Sequence, residues 1–169
     1  MTKVGVIGLG DMGSGLAKNL IKAGFDVMGL DLSEERRAAF VGLGGIIAET
    51  PADAADGADA IFIMVMNGGQ VDTVLFGANG VMETLNDDAA IILTATIKPF
   101  EARKIGNRVL AAGKHIIDSP VSGGFPGAQG GTLTMMAAAP DTLLASKRLV
   151  MDAVSANIHH VGTKPGEGQ

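Results

Sequence analysis

The stretch KVGVIGLGDMGSGLAKNLIKAGFDVMGLD, residues 3–31, changes its period twice. KVGVIGL (3–9) is β-branched and apolar without alternation, the pattern of a strand covered on both faces. SGLAKNLIKAG (14–24) then sets Leu16, Leu20 and Ile21 on one helical stripe, with Gly24 as its C′ residue, and FDVMGLD (25–31) returns to a strand. Where the first strand meets the helix stands Gly8-Leu9-Gly10-Asp11-Met12-Gly13. In this context Gly8 makes the tight turn, Gly10 lets a pyrophosphate approach the backbone, and Gly13 lets helix and strand pack closely. Leu9 and Met12 belong to the same loop, and the helix N-terminus offers unpaired N–H groups to phosphates. The fingerprint also asks for an acidic residue about 20 positions on, and Asp31 is there to bond the adenine ribose. A carboxylate at that point repels a 2′-phosphate and favours NAD over NADP, although Arg36 and Arg37 nearby could receive one. The other reading of Asp31 is turn chemistry ahead of Ser33.

Outward from this unit the alternation continues. SEERRAAFVGLG (33–44) reads as a helix capped by Ser33, GGIIAE (44–49) as a short strand, and TPADAADG (50–57) as a short helix with Pro51 near its start. DAIFIMVM (59–66) is a continuous apolar run and should be central in the sheet. Helices at 68–76 and 99–113 then alternate with strands at 88–96 and 114–120. Beyond a glycine-rich stretch (122–131) the pattern predicts a strand (132–139), one helix (140–155) and a last strand (157–162). Such alternation implies βαβ units, hence an α/β Rossmann-like fold with a mostly parallel, doubly wound sheet. The domain is expected to span 1–163, with 164–169 a loop leaving it.

Composition narrows the function. The 169 residues include no cysteine, which removes disulfide and thiolate chemistry and suits a cytoplasmic setting. A net charge of −5 is unsuited to a broad nucleic-acid surface, and no apolar run reaches the length of a membrane span. The opening MTKVGVIGLG has no secretory pattern. His159 and His160 share a short strand with no ligand spacing around them, so no metal is expected. Lys98 precedes Pro99 at a helix start and is expected in solvent.

A second motif, Asp118-Ser119-Pro120-Val121-Ser122-Gly123-Gly124, follows a predicted strand and can present a hydroxyl and backbone N–H groups to an anion. Together, IGLGDMGSGLAKNLIKAG and DSPVSGGFPGAQGGTLTMMAA resemble the two N-terminal signatures of the β-hydroxyacid dehydrogenases, and MVMNGGQVDTVLFGANGV (64–81) is more similar to the L-threonate branch than to the 3-hydroxyisobutyrate branch. The resemblance covers essentially the whole chain. It implies that Met12, Val65, Met66, Asn67 and Thr96 line the cofactor, Thr96 at its nicotinamide end, and that Ser122, Gly123 and Gly124 hold a substrate carboxylate. Ala95 stands where the family has a serine. Outside such a family, Met66 would read as strand core and Thr96 as a strand-end threonine.

The resemblance further implies an NAD-dependent oxidoreductase acting on the hydroxyl of a small 3-hydroxy acid, or reducing the matching semialdehyde or keto acid, as a homo-oligomer. Its proton-accepting lysine is expected beyond Gln169, on a helix leading into an all-helical C-terminal domain that this chain lacks. VGTKPGEGQ (161–169) matches the glycine-rich loop before that lysine, so the chain alone is expected to bind NAD weakly and not to turn over. Two other readings stay open: an NADP-dependent imine or 6-phosphogluconate-type domain, and a non-catalytic dinucleotide-binding module.

Overall fold

The computed structural model describes residues 1–169. The strands are β1 (Lys3–Ile7), β2 (Asp26–Leu30), β3 (Ile46–Ile47), β4 (Ala60–Ile63), β5 (Ala90–Leu93), β6 (His115–Asp118), β7 (Val121–Ser122), β8 (Leu133–Ala138) and β9 (Ser155–Gly162). The helices are α1 (Asp11–Lys22), α2 (Glu34–Gly42), α3 (Pro51–Ala55), α4 (Gly68–Phe76), α5 (Pro99–Ala111), α6 (Gly124–Gly130), α7 (Asp141–Ser146) and α8 (Arg148–Asp152). They form one sheet in which six parallel strands run in the order β3-β2-β1-β4-β5-β6, the order of a Rossmann fold. An added unit extends it: β8 lies antiparallel to β6 and β7, and β9 runs parallel to β8 at the far edge.

The apolar runs go where a parallel sheet needs them. Along β4, Ala60 and Phe62 face one core while Ile61 and Ile63 face the other, all fully buried. β5 repeats this with Ala90 and Ile92 opposed to Ile91 and Leu93. Each fully buried side chain of Ile or Phe size favours the fold by roughly 1.5–3 kcal/mol before conformational entropy is set against it. Local chemistry sets the helix starts: Ser33 Oγ accepts the Arg36 N–H, while Thr50 and Asp53 form a reciprocal capping box just ahead of and within α3.

The structure departs from the sequence reading in three places. β4 stops at Ile63, so Met64 to Asn67 leave the sheet instead of continuing it. The single helix expected over 140–155 is two, broken at Lys147, whose buried side chain donates to the Asp88 carbonyl at 2.8 Å. The glycine-rich stretch holds a short helix, α6, packed on α1. A side chain at Gly15 would stand 2.5 Å from the Ala128 backbone, and buried Asn19 ties the two helices by donating to the Gly15 and Ala128 carbonyls at 2.8 Å.

Gly15→Ala should therefore separate α1 from α6 and lower stability by roughly 1–3 kcal/mol, as overpacking does. Gly42→Ala, at an α2 position with open space around it, should leave stability equal or slightly higher. Urea unfolding of both variants checks the contrast.

Candidate functional site

The carboxyl ends of β1 and β4 lie side by side where the chain order reverses, with β2 beyond one and β5 beyond the other. In open α/β sheets ligands settle in the crevice at such a switch point. Three glycines shape this one, for different reasons. Gly8 has φ +94°, and a side chain there would lie 2.1 Å from the Met64 carbonyl oxygen. At Gly13 it would lie 1.7 Å from the Gly8 carbonyl oxygen. Both are demanded by the protein's own packing. A side chain at Gly10 would meet only the guanidinium of Arg36, no nearer than 3.7 Å. No close contact in the fold requires glycine at position 10.

Gly10 is the N-cap of α1 and offers no side chain to the helix, and the N–H groups of Gly10, Asp11, Met12 and Gly13 have no acceptor within the protein. Gly10 and Asp11 border a cleft of ≈ 580 Å³ lined among others by Leu9, Ser33, Arg36 and Phe40. An uncapped twelve-residue helix presents about half a positive charge there, which suits a phosphate. Asp11 is exposed and its carboxylate makes no hydrogen bond, while Met12 is half-buried against the core.

Asp31 braces the glycine loop beside this cleft. One carboxylate oxygen accepts the Leu9 N–H and the other the Ser33 N–H, each at 2.8 Å. The turn chemistry and a place beside the glycine loop thus coexist in one side chain, 9% exposed. Arg36, half-exposed above Gly10, lies 3.6 Å from Asp31 Oδ2. Arg37 turns away to Glu49 at 2.9 Å.

Beyond β4, Val65 is half-buried, whereas Met66 is 84% exposed. The strand-core reading of Met66 is therefore wrong: the sheet has already ended, and the Met66 N–H donates to Gln70 Oε1 at 2.8 Å. Asn67 caps α4 by accepting the Gln70 N–H at 2.9 Å. Beyond β5, Thr96 is exposed between buried Ala95 and Ile97. Ser122 at the end of β7, Gly123, and Gly124 at the start of α6 are exposed, with φ +129° and +58° at the two glycines, values that favour glycine. Gln129 of α6 reaches the Asp11 carbonyl and Ser14 Oγ, each at 3.3 Å, and so joins this loop's helix to the first turn of α1.

Sequence reasoning placed one residue in the second motif without giving it a role. Asp118, last in β6, is fully buried, and its carboxylate receives three donors from the end of the chain: Gly166 N–H at 2.7 Å, Gly168 N–H at 3.1 Å and Gln169 Nε2 at 2.7 Å. Burial pushes its carboxyl above the usual aspartate value, and the Gln169, Gly166 and Gly168 donors pull it partly back. Segment 164–169 thus packs on the domain, with Pro165 and Gly166 buried. The histidines stand apart: on edge strand β9, His160 contacts Asp141 at 3.0 Å and the Ala139 carbonyl at 2.9 Å. Lys98 is exposed, its ammonium 5.8 Å from the Phe100 ring centre. No helix is long and apolar enough to cross a membrane.

Comparison with known proteins bears on the family and the fold. The profile of the NAD-binding domain of 6-phosphogluconate dehydrogenase matches residues 3–162. An L-threonate dehydrogenase of Cupriavidus necator is 36% identical over 98% of this chain and 56% of its own length. A 3-hydroxyisobutyrate dehydrogenase of Pseudomonas aeruginosa is 34% identical over 100% of this chain and 56% of its own. The crystal structure of a 3-hydroxyisobutyrate dehydrogenase from Salmonella typhimurium superposes with a TM-score of 0.93 at 32% identity, over 99% of this chain and 59% of that one. The chain spans about half the length of the curated relatives it matches.

The glycines separate by experiment. Gly13→Ala should lower the melting temperature strongly, because its new methyl group meets a backbone carbonyl, whereas Gly10→Ala, an alanine at an N-cap with room for its methyl group, should lower it by only a few degrees. Thermal unfolding followed by circular dichroism reads both.

Proposed function

The chain belongs to the family of the 6-phosphogluconate dehydrogenase NAD-binding domain, the N-terminal domain of the β-hydroxyacid dehydrogenases, and from that premise we propose that it holds NAD along the carboxyl ends of β1, β2, β4 and β5. The observation that carries this is the row of N–H groups from Gly10 to Gly13 without acceptors, beside a glycine that no close contact in the fold requires. These groups bind the pyrophosphate. Asp31, already holding the Leu9 and Ser33 N–H groups, has carboxylate lone pairs left for the adenine ribose hydroxyls, and its charge disfavours a 2′-phosphate. Val65, Met66 and Asn67 flank the middle of the cofactor, and Thr96 its nicotinamide end.

When bound, NAD supplies the hydride acceptor. The protein's part is orientation. Ser122 and the backbone at Gly123 and Gly124 hold the carboxylate of a small 3-hydroxy acid, so that its hydroxyl-bearing carbon faces the nicotinamide beside Thr96. Exposed Met66 covers the site on the β4 side. The whole enzyme oxidises such a hydroxy acid or reduces the matching semialdehyde or keto acid, works in the cytoplasm as a homo-oligomer, and takes the hydroxyl proton with a lysine outside residues 1–169.

NAD should bind the 169-residue chain more tightly than NADP in calorimetric titration, and Gly10→Ala should weaken NAD about tenfold or more, equivalent to ~1.4 kcal/mol. Tighter binding of NADP would transfer the assignment to Arg36, 3.6 Å from Asp31 Oδ2. Mixed with NAD and a panel of C3–C5 hydroxy acids, the same chain should form no NADH by absorbance. Turnover would place the proton acceptor within these residues.

A further inference from the structure

Asp118 has no part in the assignments above, yet it holds the most enclosed carboxylate of the site region. Leu93 of β5 and Ala138 of β8 pair with it on either side, and the segment after β9 lies over it. That segment is seated by shape as well as by hydrogen bonds. Pro165 packs where a side chain on Gly106 of α5 would stand, only 2.2 Å away. Gly168 comes so close to the strand ends that a side chain there would lie 2.5 Å from the Asp118 carbonyl oxygen and 2.9 Å from that of Met136. Glu167 organises the segment internally by accepting the Lys164 and Thr163 N–H groups, which hold its carboxyl below the usual glutamate value.

From Asp118 the hydrogen bonds continue to the site. Gln169 donates to Asp118 Oδ1 and also to the Ala95 carbonyl at 3.2 Å, while its own carbonyl oxygen accepts the Ile97 N–H at 3.0 Å. Ala95 and Ile97 are the two neighbours of exposed Thr96. One side-chain amide therefore clamps the backbone on both sides of Thr96, and Asp118 fixes the orientation of that amide. A carboxylate at 118 must face the NH₂ end of Gln169, which leaves its oxygen end for Ile97. The neutral isostere would present its own NH₂ either to Gln169 or to the Gly166 and Gly168 N–H groups.

We propose that Asp118 is a positioning residue for the reactive end of the cofactor: it orients Gln169, which holds the backbone around Thr96, and it seats segment 163–169 across the ends of β5 and β6. This rests on the reading that Thr96 meets the nicotinamide. Asp118 acts at a distance, through Gln169, and touches neither cofactor nor substrate. No charged side chain acts on its carboxyl; burial and the neutral donors of Gln169, Gly166 and Gly168 do.

The test compares NADH with ADP-ribose, which keeps the pyrophosphate and both riboses but lacks the nicotinamide, by calorimetry on the 169-residue chain. The parent should bind NADH more tightly than ADP-ribose. Asp118→Asn and, independently, Gln169→Ala should reduce that preference about tenfold and leave ADP-ribose affinity unchanged. Gln169→Ala, which removes only the side-chain amide outside the strands and helices, keeps the test open should Asp118→Asn fail to fold.

A second readout is the amide proton shifts of Gly166 and Gly168. In the parent they should move together as pH falls through a midpoint above the ordinary aspartate value, because protonation weakens the acceptor they share. In Asp118→Asn that titration should vanish. A preference for NADH unchanged in both single variants, or a parent holding NADH and ADP-ribose equally, would overturn the positioning role alone. Loss of ADP-ribose affinity along with NADH would reduce Asp118 to a structural part. Failure of the parent to bind ADP-ribose would overturn the cofactor reading, and this inference with it.

Discussion

The closest contact in the molecule's working region is the descent of α1 onto the end of β1, and the rest of the site is arranged around it. Gly13 sits so near the Gly8 carbonyl that no side chain could intervene. That proximity brings the first turn of α1 to the carboxyl edge of the sheet with four N–H groups unpaired. A capping side chain at position 10 would have satisfied some of them and filled the approach. Its absence leaves the helix end uncapped, with its first N–H groups unpaired.

Two aspartates at strand ends then do similar work at opposite ends of the crevice. Asp31, after β2, ties the glycine loop to the start of α2 through the Leu9 and Ser33 N–H groups. Asp118, at the end of β6, ties the last residues of the chain to the turn after β5 through Gly166, Gly168 and Gln169. Loops have few apolar contacts to hold them. Charge-assisted hydrogen bonds from a carboxylate to backbone N–H groups, roughly twice as strong as neutral ones, supply the order that packing cannot. Between these struts, α6 leans on α1 through Gly15 and Asn19, so the Ser122 loop and the glycine loop are carried by a single rigid pair.

Much of this was legible beforehand, because it rests on local pattern. The continuous apolar runs of β4 and β5 announce strands buried on both faces, and Ser33 and Thr50 mark helix starts by their own hydrogen-bonding chemistry. What escaped was decided by contacts distant in sequence. GFPGAQG has poor helix propensity, and α6 exists because α1 offers a surface to dock on. Lys147 splits α7 from α8 because its ammonium is drawn to a carbonyl 59 residues away. Met66 reads as core by composition, yet it lies past the point where β4 runs out of partners.

By itself, then, the sequence determined the class of fold, the βαβ order and the glycine and aspartate positions of the dinucleotide motif, since each follows from side-chain periodicity or backbone freedom within a few residues. Only the tertiary structure decided that Gly10 is free while Gly8 and Gly13 are not, that Asp31 braces two loops at once, and that Asp118 holds the KPGEGQ segment from 48 to 51 residues away. The physical reason is the same in each case. A hydrogen bond or a steric clash depends on what lies within a few ångströms, and at these positions the neighbours are brought there by the sheet, not by the chain.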